Sequence, residues 1–305
     1  MEKLGIQTYN KFLGVYDADD AWEVPKAEGA IALKTCTNMD INKNYKLKFR
    51  PGQTLVLAGN YRNLWSNGSI FFATKDNNLY RIYPEQAYNT ELLYTGINED
   101  QLSYANVGDL IYITNNSIIL AYENNVIRAL RSPNRTYRGK MPAGHLIELF
   151  KSRMFIAKEV DSKHLLIQSE AANYEQYDER DDTSFQAFTE KLTMLSAVGD
   201  GLFVSSDRTY FLNGSNLSQM RMTRVDDYKA IPGTARKIRG VTVKGEYYSD
   251  AVIWESESGI CIGGNGGKFT NLTEGRKDVS SATIGASYIN ISGEITQFVV
   301  NTKGG

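Results

Sequence analysis

Apolar and polar residues alternate along this chain in short bursts with the two-residue period of half-buried strands, and sustained helical periodicity is scarce. Ser69-Ile70-Phe71-Phe72-Ala73 runs into the polar Thr74-Lys75-Asp76-Asn77-Asn78 and then Leu79-Tyr80-Arg81-Ile82-Tyr83, which predicts a strand, a turn and a returning strand. The plan returns four times: 110–113 and 118–122 about Asn115-Asn116, 153–157 and 165–167 about Asp161-Ser162, 201–204 and 209–212 about Ser206-Asp207, and 251–254 and 259–262 about Ser256-Glu257-Ser258. A further short strand precedes most hairpins (63–65, 102–104, 145–149, 194–197), and a fourth often follows (90–94, 219–222). Units beginning near Tyr61, Gln101, Gly144, Leu192 and Val241 recur every ~40–50 residues, the period of a propeller blade.

A final pair of strands, 286–291 and 295–300, makes half a unit, and strand candidates at 30–33, 45–49 and 54–57 would complete it from the other end. The reading is all-β: a β-propeller of about six four-stranded blades, its ring closed by N- and C-terminal strands so that no sheet edge stays open. Residues 1–27 form an N-terminal arm and 28–305 a single propeller domain. A double-sheet sandwich or two small β domains is the rival architecture. Residues 181–192 predict one short helix or a strap between blades.

Composition agrees with many strands joined by tight turns: 26 glycines and 19 tyrosines against six prolines in 305 residues. Lysine and arginine number 34 against 35 acids, a net charge of −1, so no global field attracts nucleic acid or an anionic membrane, and a charged contact must be local. The start, Met1-Glu2-Lys3-Leu4-Gly5-Ile6, shows no basic segment followed by an apolar run, and no stretch reaches the ~20 apolar residues of a membrane span. The expectation is a protein made and released in the cytoplasm, without membrane insertion.

No catalytic constellation emerges. Two cysteines, Cys36 and Cys261, and two histidines, His145 and His164, are too few and too scattered for a closed zinc site, and both histidines fall in predicted strands. Gly263-Gly264-Asn265-Gly266-Gly267-Lys268 imitates a phosphate loop, but it follows a strand and runs into Phe269-Thr270-Asn271-Leu272, the context of a hairpin tip. The acids Asp17, Asp19 and Asp20, Glu99 and Asp100, and Asp178, Glu179, Asp181 and Asp182 lie in loops, where solvated charge is their expected role. Neither a cofactor nor a metal is expected. One cluster stands apart: Arg128, Arg131, Arg135, Arg138 and Lys140 occur within a segment that lacks acids, a candidate grip on a phosphate backbone or an acidic partner. Arg236, Lys237 and Arg239 make a smaller patch.

The N-terminal region carries a resemblance. Glu28-Gly29-Ala30-Ile31-Ala32-Leu33, the turn Asn38-Met39-Asp40, then Phe49-Arg50-Pro51-Gly52, Gly59, Asn63-Leu64-Trp65 and Leu79-Tyr80-Arg81 resemble the opening of tailed-phage virion proteins similar to the podovirus tail hub and nozzle and related siphovirus tail components. The resemblance spans residues 28–82. It departs at Asn42-Lys43-Asn44-Tyr45-Lys46-Leu47-Lys48, where such proteins often carry several arginines. It implies a β-propeller without catalytic residues, located in the virion tail and present as a homo-oligomeric ring or in multiple copies. Its partners would be other tail or connector proteins, with contact to DNA in transit or to a host surface glycan. Tyr9, Phe12, Tyr16 and Trp22 would then let the arm dock on another subunit, or else cover the propeller's own outside. A receptor- or carbohydrate-binding propeller at the tail tip is the alternative function, and a glycosidase with paired inner-strand carboxylates ranks last.

Overall fold

Five four-stranded antiparallel meanders follow one another along the chain. The computed structural model describes residues 11–15, 26–27, 30–33, 39–41, 46–49, 54–98, 100–133, 138–274, 282–292 and 295–304. The first sheet comprises Arg62–Ser66, Phe71–Lys75, Asn78–Tyr83 and Asn89–Thr95. The second comprises Ser103–Val107, Leu110–Thr114, Ile119–Glu123 and Val126–Ala129. Leu146–Phe150, Arg153–Val160, Lys163–Gln168 and Phe185–Phe188 make the third. Met194–Val198, Gly201–Ser205, Thr209–Asn213 and Arg221–Asp226 make the fourth, and Arg236–Val243, Glu246–Ser256, Gly259–Gly264 and Lys268–Asn271 the fifth. A two-stranded ribbon, Ala282–Ser292 with Ile295–Gly304, ends the described chain.

All five predicted hairpins form. Two of them turn on two residues that both carry positive φ: Asp76-Asn77 at 51° and 60°, and Asp161-Ser162 at 48° and 61°. That conformation matches the right-handed twist of the strands it joins, and these short polar side chains tolerate it. Two local expectations fail. Residues 54–57 form no strand, and Leu55 and Val56 lie exposed, because the run has no partner strand among the described residues. Within 181–192 there is neither a helix nor a free strap. Asp181 caps the single 3-10 turn Asp182–Ser184, and Phe185–Phe188 pairs as the outer strand of the third sheet.

Burial explains the order of the strands. In the fourth sheet all of Met194–Val198 and Gly201–Ser205 is buried, whereas the fourth strand Arg221–Asp226 is mostly exposed. Each sheet packs face to face on the next through its own apolar seam. Phe72 and Leu79 meet Ile111, Ile113 and Tyr122 between the first and second sheets. Tyr112 and Ala121 meet Ile147, Met154 and Ile156 between the second and third. Phe155 and Leu166 meet Leu195, Leu202 and Val204, Phe203 and Phe211 meet Val252 and Trp254, and Ile238 and Ile262 meet Ile289 and Phe298 of the ribbon.

The chain ends form separate small sheets. Lys11–Val15 pairs in parallel with Ala30–Leu33, which also takes Lys26–Ala27, and Met39–Ile41 pairs with Leu47–Phe49. Most of the predicted arm lies outside the described residues. Among the described residues no N-terminal strand pairs with the C-terminal ribbon, so the expected closure by strands from both ends is not seen there. No helix among them is long and apolar enough to cross a membrane.

Candidate functional site

The first strand of every sheet leaves one edge of backbone groups without a partner in its own sheet, and such groups are costly when buried. Polar side chains of neighbouring first strands fill that role from sheet to sheet. The Leu102 N–H donates to Asn63 Oδ1 at 3.1 Å, Ile147 N–H to Ser103 Oγ at 3.0 Å, and Ala197 N–H to Glu148 Oε2 at 3.1 Å. At the far end Arg236 Nε donates to the Ser287 carbonyl at 2.8 Å, and Ser287 Oγ to the Thr234 carbonyl at 2.6 Å. The first strands of the first four sheets are therefore linked in a line, and outer strands such as Arg221–Asp226 face outward.

Glu148 is the hub of that line. Besides Ala197, its carboxylate accepts from the Leu149 N–H at 2.7 Å and from Lys237 Nζ at 2.8 Å, and Lys237 belongs to the fifth sheet, two sheets further on. The patch 236–239 is thus consumed within the fold: Arg236 by Ser287, Lys237 by Glu148, and Arg239 by Asp250 at 3.4 Å.

Much of the larger basic cluster is likewise paired. Arg128 sits between two carboxylates, Glu123 and Glu175, each at 2.7 Å, and Arg131 shares both, through its side chain to Glu123 at 2.9 Å and its backbone N–H to Glu175. Tyr112 Oη adds a hydrogen bond to Glu175 at 3.2 Å. Burial works to raise the Glu175 pKa, but the Arg128 guanidinium and the Arg131 N–H outweigh it and hold the carboxyl below its ordinary range, while Glu175 in turn raises that of Arg128. Arg138 uses a different pair, Glu170 at 2.5 Å and Asp178, on the small ribbon formed by Arg138–Lys140 and Gln176–Asp178. Lys140 is exposed there, and Arg135 lies outside the described residues. The structure therefore unites Arg128 with Arg131 and sets Arg138 apart. Of the acids that complete the arrangement, Glu175 carries no sequence signal because it is 47 residues from Arg128, and Glu123, five residues from Arg128, stands just outside the run without acids.

The remaining nominated groups serve the frame. Cys261 is buried beside Ser256, and burial pushes its thiol up to about 11, away from the reactive thiolate; Cys36 lies outside the described residues. The glycine-rich run is the expected hairpin connection, with Gly266 and Gly267 at positive φ. His145 binds the Leu192 carbonyl through Nε2 at 2.9 Å, joining the third sheet to the entry of the fourth, and burial pushes its pKa down to about 4. The unfolded chain then holds more protons than the fold between pH ~6.5 and ~4, so stability falls as pH drops through that window. Urea midpoints are expected to decrease from pH 7 to pH 5 in the wild type and to do so distinctly less in His145→Asn; parallel profiles would show that His145 is not responsible.

No family model matches this sequence, and no curated protein matches it. Solved structures do. BBS1N in complex with ARL6DN aligns over 87% of this chain and 83% of that one, with 12% identity and a TM-score of 0.51. Virginiamycin B lyase from Staphylococcus aureus aligns over 88% and 86% with 13% identity and a TM-score of 0.47, and the N-terminal domain of Nup159 over 78% and 72% with 11% identity and 0.44. Identity at this level speaks to fold alone. Together with the successive four-stranded meanders, the likeness to BBS1N makes this chain an all-β protein of β-propeller fold.

Proposed function

We propose that the chain is a non-enzymatic structural component of a bacteriophage tail, a hub, nozzle or tail-tip scaffold that contacts neighbouring tail or connector proteins in several copies. The setting rests on the resemblance over residues 28–82. The scaffold role is carried by one observation: charged groups that catalysis or DNA binding would need free are engaged with one another across the sheets, as Glu148 is with Lys237 and Arg128 with Glu175. Such crosslinks stiffen a propeller. Exposed apolar residues on outward strands, Leu92, Val126, Phe185 and Met222, one on each of four sheets, offer contact surface to neighbours.

The test is a phage whose gene for this chain carries an amber codon. Growth in a non-suppressing host is expected to give normal heads, defective tails and a loss of infectivity. Infectious particles with complete tails that lack the chain would overturn the reading.

A further inference from the structure

Arginine is a costly residue to leave idle, and in this fold almost none is. Among the described residues every arginine but one has a hydrogen bond, an ion pair or a ring contact; the exception is Arg221. Arg221 lies on the exposed outer strand of the fourth sheet, directly across from Asn213, and two residues on Thr223 lies across from Phe211. These four side chains and Val225 line a groove of about 340 Å³ whose opposite wall is the Gly266–Gly267 turn of the fifth sheet. The turn lies close against the sheet at its base, where a Cβ at Gly267 would stand 2.8 Å from the Phe211 ring, and Gly266 has no neighbour that a Cβ would meet. Like Arg221, Asn213 and Thr223 have no side-chain hydrogen bond within the protein.

The geometry points to this groove as a binding site for a carboxylated saccharide, an assignment that goes beyond the structural role proposed above and does not rest on it. A guanidinium presents paired N–H donors that match a carboxylate. The Asn213 amide and Thr223 hydroxyl both donate and accept, as sugar hydroxyls require, and the half-buried Val225, above the buried edge of Phe211, gives an apolar contact for the C–H face of a pyranose. The volume suits one or two sugar rings. Nucleic acid fits less well, because a phosphate backbone calls for several free cations in a row, and the neighbouring Arg224 is already paired with Asp227 at 3.1 Å.

Isothermal titration of the full chain with glucuronate, glucose and inorganic phosphate tests this directly. Glucuronate is expected to bind saturably with a Kd of ~1 mM, and glucose, the same ring without the carboxylate, at least about tenfold more weakly. Because Arg221 and Thr223 are exposed, Arg221→Ala and Thr223→Val will fold. The first is expected to weaken glucuronate about tenfold or more, the second about threefold. Absence of saturation by glucuronate at about 50 mM, undiminished binding in Arg221→Ala, or phosphate binding as tightly as glucuronate would each overturn the assignment. None of these results bears on whether particles assemble, so failure here is distinct from failure of the tail reading.

Discussion

Glu148→Ala is expected to destabilise the chain by about 3–5 kcal/mol, a large share of a typical folding free energy. The Glu148 carboxylate is almost wholly buried and holds three donors: the Ala197 N–H of the next sheet, the Leu149 N–H and the Lys237 ammonium. Removing it strands the Ala197 N–H, which costs about 1–3 kcal/mol as a buried unpaired donor, and removes charge-assisted bonds that join three sheets. Two companions separate these contributions. Glu148→Gln keeps one accepting oxygen and is expected to lose about half as much, whereas Lys237→Ala removes a half-exposed ammonium and leaves the carboxylate its two backbone donors, a loss of about 1 kcal/mol. Urea denaturation of the three variants gives the ranking; equal losses for Glu148→Ala and Lys237→Ala would show that the bond to the neighbouring backbone carries no weight.

Trp254→Ala is expected to cost about 3–5 kcal/mol by a different route. Trp254 is fully buried in the seam between the fourth and fifth sheets, its ring 5.7 Å from Phe203 and 5.9 Å from Phe269. Truncation opens a cavity between two stacked sheets that neither can close without moving as a body. The indole Nε1 is itself buried without a hydrogen-bond partner, so Trp254→Phe deletes an unsatisfied donor along with some volume. The expected loss for Trp254→Phe is below about 2 kcal/mol, and a loss equal to that of the alanine variant would mean that the indole nitrogen has a partner after all.

The hairpins were legible in the sequence because their determinants are local. An apolar run such as 153–157, a turn such as Asp161-Ser162 that accepts positive φ, and a returning run such as 165–167 lie within one reading window. The same locality misled at 54–57, where Thr-Leu-Val-Leu has the composition of a strand but has no neighbour to pair with among the described residues. Fourth strands are readable at 90–94 and 219–222, whereas Phe185–Phe188 falls inside a stretch, 181–192, whose spacing suggests a short helix or a strap.

The candidate site was legible only in half. The cations of 128–140 are conspicuous as a run without acids, yet their partners come from elsewhere: Glu175 reaches Arg128 across 47 residues and Asp178 reaches Arg138 across 40. Glu148 in Leu-Ile-Glu-Leu-Phe reads as the polar member of an alternating strand, and nothing within a few residues announces that Lys237, 89 residues on, will meet it. Blades of a propeller interact through closure of the fold, and side-chain pairs made that way leave no periodic trace in the chain. Arg221 escaped notice for the converse reason: it is marked only by the partner it lacks.

The order of the sheets underlies the crosslinks that carry the scaffold role, and a crystal structure of the full chain tests it most directly. The expected result is that the first strands, Ser103–Val107, Leu146–Phe150, Met194–Val198 and Arg236–Val243, stand side by side in that order, with the Lys237 ammonium within hydrogen-bond reach of Glu148. Sheets packed as a sandwich, or as two separate β domains that place Glu148 and Lys237 in different cores, would contradict it.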